Sequence, residues 1–255
     1  MLQAHSPLWY GLWVGPNVLL LVLAALLWQR RDHKLYASFL TLAIVGALGQ
    51  LILCAADVVP WINPRTWWYL FWGDLLVEGF LKVAVIAAIF DNALRAYPSI
   101  GNLGRVLIQG LGAFLILAAA VLAALAPHDS DYRIVSGAHL LEQSIYLVET
   151  GVLVFIFLFA GYFRLRLTRP YFGISVGLAI SACVHLAYWA LMSNGGLPDA
   201  TRYRLDFMIM GAHLFAVLLW SYYLLVPHKV PVEIVAVPQN DLAKWNRELE
   251  RWLQQ

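Results

Sequence analysis

Charge is scarce in this chain. Only 13% of its 255 residues are Asp, Glu, Lys or Arg, against about a quarter in a soluble domain, which excludes a water-exposed globular surface. Cysteine is scarcer still: Cys54 and Cys183 both fall within apolar stretches and read as buried free thiols, which excludes a disulfide framework. No H-E-x-x-H or H-x-x-x-H pair occurs, so no helix carries a ready-made pair of metal-binding imidazoles. The last apolar stretch, Tyr203 to Val226, has no lysine; a retinal Schiff base of the microbial-rhodopsin kind is excluded with it. No nucleophile-elbow serine is expected. Internal repeats of the transporter kind are also missing, which weighs against transport.

What is abundant is apolar sequence. The hydrophobic fraction is 62% and the mean hydropathy +0.71. Seven segments, starting near Leu8, Tyr36, Trp67, Arg105, Ala138, Tyr171 and Tyr203, each run for roughly 20 residues, enough to cross a bilayer as a helix. Backbone amides in hydrocarbon need partners inside their own segment, so the fold class is all-α: a polytopic bundle of seven transmembrane helices. Pro60 and Pro64, Pro98, Pro127, Pro170 and Pro198 punctuate the connections.

Cations set the orientation. The odd-numbered loops carry Arg30, Arg31, Lys34, Arg95, Arg105, Arg164, Arg166 and Arg169, the even-numbered ones Arg65, Arg133, Arg202 and Arg204, so eight face four. The tail adds Lys229, Lys244, Arg247 and Arg251 to the richer side. The positive-inside rule then places the N-terminus outside and the C-terminus in the cytoplasm. The first segment has neither a basic lead-in nor a small-residue cleavage site, so it is expected to be retained. Two regions result: residues 1–227 as the membrane domain and residues 228–255 as a cytoplasmic tail. In the tail Leu242, Trp245, Leu249 and Trp252 share one side of an amphipathic helix, suited to the membrane surface or to a protein partner. The cations flank membrane segments, so no nucleic-acid partner is expected; membrane lipids are.

Ionisable groups inside hydrocarbon are costly, and each is a candidate functional residue. In the third segment Asp74, Glu78 and Lys82 stand four apart, on one helical face. The fifth carries His139, Glu142, Gln143, Tyr146 and Glu149 on one side. The sixth offers Ser181 and His185, the seventh Asp206 and His213 seven apart. With the N-terminus outside, these groups converge on the outer half of the bundle, and a polar cavity there is the economical explanation. Lys82 is expected to pair with Glu78 one turn above it, or with Glu149 across the bundle. His139, Glu142 and His185 are the right types for a metal ion. A haem between His185 and His213 fits poorly, since their depths differ by about one helical turn. Gly173 and Gly177 form G-x-x-x-G, a close-packing motif expected to act within the bundle.

Two stretches carry a resemblance. Pro170-Tyr171-Phe172-Gly173-Ile174-Ser175-Val176-Gly177-Leu178 is one; Trp245-Asn246-Arg247-Glu248-Leu249 with Arg251-Trp252-Leu253-Gln254-Gln255 is the other. With the order of spans, they resemble a family of seven-helix proteins of acidobacterial genomes that carries no assigned activity. The resemblance implies a seven-helix fold in a bacterial inner membrane, and no chemistry. The functional expectation is a receptor-like or sensory module that binds a small ligand or ion in the outer cavity, without enzymatic activity. The alternatives are a metal-dependent hydrolase acting on lipid and a structural, haem- or pigment-bearing subunit of a membrane complex.

Overall fold

A computed structural model of the chain describes residues 5–30, 36–94, 130–162, 167–192 and 198–227, with isolated positions at 106, 110, 117, 121, 247, 250 and 251. Six helices make up the continuous part: α1 Pro7–Gln29, α2 Ala37–Val58, α3 Pro64–Leu94, α4 Ser130–Tyr162, α5 Arg169–Met192 and α6 Asp199–Leu225. They correspond to the first, second, third, fifth, sixth and seventh apolar segments. The fourth segment and the amphipathic face of the tail lie outside the described residues. Val106, Gly110, Leu117 and Val121 are helical and exposed, in keeping with a lipid-facing wall.

Helix starts follow local chemistry. Ser6 caps α1, its Oγ accepting from the Trp9 amide at 3.2 Å, with Pro7 as first helical residue. Asn63 does the same for α3, accepting from the Arg65 amide at 3.0 Å ahead of Pro64. Five described helices are long and apolar enough to cross a membrane; at 1.5 Å per residue the 23 residues of α1 reach about 34 Å. With 31 residues, α3 has the length too, and differs only in its charged row. The apolar part of α4 begins at His139, beside the expected Ala138, but the helix itself starts at Ser130. Hydropathy marks where a helix meets hydrocarbon, not where its hydrogen bonding begins.

The six helices form a ring in chain order, α6 closing back on α1. The tightest seam joins α5 to α6. A Cβ at Gly173 or Gly177 would collide with Tyr223 or Trp220 of α6, and the buried Trp220 Nε1 donates to the Ile174 carbonyl at 3.2 Å. The G-x-x-x-G pair therefore packs inside the bundle.

The ring divides into two halves of opposite character. At one end Leu20, Leu23, Leu27, Phe39, Val85, Ile86, Ile89, Leu153, Ile156, Ile174, Leu178, Val217 and Trp220 fuse into a continuous apolar core. All come from the ends of α1, α3, α4 and α6 nearest their C-termini, or from the starts of α2 and α5. At that same end Arg30 Nη1 donates to the Leu225 carbonyl at 2.9 Å. Arg169 Nη1 reaches the Val226 carbonyl at 3.4 Å, two cations satisfying the last carbonyls of α6. Both cysteines are free, but Cys183 is exposed on the outer face of α5 while Cys54 is buried. The expectation of two buried thiols holds for Cys54 alone, because lipid is as apolar a neighbour for a thiol as the core is.

Candidate functional site

The opposite half holds a cavity of about 300 Å³ bounded by all six helices. Its wall contains Asp74, Glu78, His139, Glu142, His185 and His213, six of the eight ionisable residues expected at the site. The seventh, Glu149, lies beneath it, 3% exposed. The eighth, Asp206, is not in the lining; it accepts a hydrogen bond from Tyr188, which is.

The helical spacings explain the convergence. On α3, Asp74, Glu78 and Lys82 recur every four residues and drop inward along one face. Asp74 is held at the top: Gln50 Nε2 donates to its Oδ2 at 2.9 Å, and Trp13 Nε1 donates to Gln50 Oε1 at 3.2 Å. This chain of hydrogen bonds ties α1 to α2 to α3. It depends on Gly49, where a Cβ would collide with Asp74 Oδ1. On α1, Asn17 Nδ2 donates to the Trp13 carbonyl at 2.7 Å.

Lys82 forms the floor. Its Nζ lies 3.0 Å from Glu78 Oε1 and 3.3 Å from Glu149 Oε2, and 4.3 Å from the centroid of the Tyr146 ring. The two partners anticipated as alternatives are both engaged, so the buried pair is a three-member cluster bridging α3 and α4. Across the Tyr146 ring, His185 stacks at 4.1 Å with the planes 20° apart. The His185 Nδ1 meets the Ser181 carbonyl at 2.8 Å, which fixes the imidazole.

Several buried polar atoms of the wall have no hydrogen-bond partner: Trp9 Nε1, His139 Nδ1, Trp189 Nε1 and His213 Nε2. Indole Nε1 can only donate. Aromatic contacts hold the His139 ring, with Trp68 at 5.5 Å and Trp189 at 4.7 Å. Orphaned donors and acceptors around one space mark a place where a ligand or ordered water completes the network.

His139, Glu142 and His185 share the cavity, yet among the described residues no three of His, Cys, Asp and Glu are grouped closely enough to hold a metal ion. The letters G-x-S-x-G do occur, at Gly173 to Gly177. Ser175 is 0% exposed within α5, and its hydroxyl donates to the Tyr171 carbonyl, so the pattern serves helix packing and no nucleophile elbow exists there.

Sequence reasoning missed the indole wall. Trp9 and Trp13 stand near the start of the first apolar segment, where an interface anchor also belongs, and both line the cavity with Trp189 and Tyr188. A signal was present: Trp9, Trp13 and Asn17 repeat every four residues on α1, as Asp74, Glu78 and Lys82 do on α3. No protein-family model, curated protein or solved structure matches the chain.

Proposed function

We propose that this chain is a receptor-like or sensory membrane protein that binds a small polar ligand in the cavity between its six described helices. One observation carries the reading: acids, imidazoles and indoles from all six described helices converge on one cavity, which narrows to a space of about 60 Å³ as it meets Leu20, Phe39, Leu178 and Trp220 of the apolar core. A space that narrows into an apolar core suits binding more than passage. A ligand there touches every described helix, so it biases how they pack, which is what a sensor requires. The Lys82 cluster directly beneath couples α3 to α4 and is the natural element for a ligand to perturb. The hydrolase reading lacks its ligand grouping among the described residues.

The orientation belongs to the same proposal. Arg30 and Arg169 at the apolar-core end support a cytoplasmic placement of that end, which opens the cavity to the outside. Both α3 and α4 present their N-terminal halves to the cavity, so they run the same way. Two successive described helices of the same sense support the expectation of seven crossings. The resemblance to seven-helix proteins of acidobacterial genomes supports a bacterial inner membrane.

The test is a metabolite library screened by thermal unfolding of the purified protein. A compound that raises the midpoint of the wild type, but not of His139→Ala or Glu142→Ala, is the expected result. If Trp61→Ala, at an 84% exposed position away from the cavity, loses the response as those variants do, the cavity is not the site.

A further inference from the structure

We infer that the ligand is a small organic cation, an amine or quaternary ammonium ion. This rests on the cavity being a ligand site and adds the chemical class it selects.

Charge is the first observation. Cavity wall and floor together present four carboxylates, Asp74, Glu78, Glu142 and Glu149, to the one ammonium of Lys82. Lys82 engages Glu78 and Glu149. Asp74 and Glu142 form no salt bridge among the described residues, and no lysine or arginine is among the described lining residues.

The second observation is aromatic. Trp9, Trp13, Phe71 and Trp189 line the same space, and ring faces attract cations, quaternary ammonium ions most characteristically. The protein already uses this combination once. One turn below the wall, Lys82 Nζ lies between two carboxylates and 4.3 Å from the Tyr146 ring. The cavity repeats those parts, carboxylates beside aromatic faces, without a cation of its own.

Size and hydrogen bonding narrow the class. About 300 Å³ is the space of about ten water molecules at ~30 Å³ each, so the cation is small. The unpartnered donors Trp9 Nε1 and Trp189 Nε1 ask for an acceptor on it, such as a hydroxyl.

Three probes of matched shape separate charge from fit: choline, its neutral carbon analogue 3,3-dimethylbutan-1-ol, and the anion 3,3-dimethylbutanoate. Binding is read from indole emission and from the thermal midpoint of the full chain in lipid nanodiscs. Choline is expected to bind at least tenfold tighter than the alcohol, and the anion not at all. Asp74→Asn and Glu142→Gln, read separately so that misfolding of one leaves the other, should each weaken choline about tenfold and leave the alcohol unchanged. Equal or tighter binding of the alcohol or the anion overturns the cation assignment and leaves the cavity as a ligand site. If none of the three binds, the cation assignment falls. The site falls with it if Ser181→Cys, in a chain with Cys54→Ala and Cys183→Ala, also stays closed to a water-soluble thiol reagent.

Discussion

Lys82 shows how one residue can be both costly and necessary. An ammonium 7% exposed in the middle of a helical bundle is tolerable only because two carboxylates and an aromatic ring surround it. The three partners are unequal. Removing Glu78 leaves Lys82 with Glu149, and removing Glu149 leaves it with Glu78, but removing Lys82 strands both acids. Lys82→Met is therefore expected to be the most damaging, by about 3–5 kcal/mol, the range for breaking a buried pair on one side. Glu78→Gln and Glu149→Gln should each cost less. The triple change to Met, Gln and Gln should recover a large part of the loss. Thermal unfolding of the four variants in detergent checks the order; a Lys82→Met protein as stable as Glu78→Gln would show that the ammonium is not what holds the cluster together.

Helix packing turns on where side chains are missing. The close approach of α5 to α6 requires Gly173 and Gly177, because Tyr223 and Trp220 occupy the space a Cβ would need. Gly177→Val is expected to destabilise the bundle by about 1–3 kcal/mol, the usual cost of overpacking. Gly211→Ala, where nothing lies within 4 Å of the added Cβ, should be near neutral. Denaturation midpoints of the two variants decide it, and equal midpoints would remove the close-packing role. Gly49 is a different case, since its neighbour is the Asp74 carboxylate. Gly49→Ala should push Asp74 away from Gln50, leave stability within about 1 kcal/mol, and weaken any ligand response as Asp74→Asn does. An unaltered response in Gly49→Ala would show that the Gln50–Asp74 bond is dispensable for binding. Much of this was legible in the residues. A G-x-x-x-G in one apolar segment announces a close neighbour, and acids spaced by four announce a polar face. The neighbour's identity was not legible, because Trp220 and Tyr223 lie 43 to 50 residues further along and only the closed ring brings them round. The aromatic wall was hidden for a related reason. An indole near a helix end satisfies the interface and the cavity equally well by sequence, and only the ring's closure decides which way it faces.

At the scale of the whole molecule, the polar and apolar halves are a consequence of direction. The directions of the six helices place the first halves of α1, α3, α4 and α6 beside the second halves of α2 and α5; Asp74, Glu78, His139, Glu142 and His185 lie in those halves, and Lys82, Glu149 and His213 just past the midpoints of α3, α4 and α6. The opposite end joins an apolar plug to two arginines on the last carbonyls of α6. A bundle built this way should be insulated: water reaches the Lys82 cluster from the cavity side and not from the arginine side. Single cysteines test this together with the orientation, in a chain lacking Cys54 and Cys183. One at Ser181, in the cavity wall, should react with a membrane-impermeant thiol reagent added outside intact cells. One at Thr168, exposed beside Arg169, should react only once the reagent is given access to the cytoplasm. Labelling at Thr168 from outside, with Ser181 protected, would invert the orientation and turn the cavity toward the cytoplasm. Labelling of Ser181 from both sides would mean that the apolar core does not seal, and a pathway through the bundle would then be the better description than a receptor cavity.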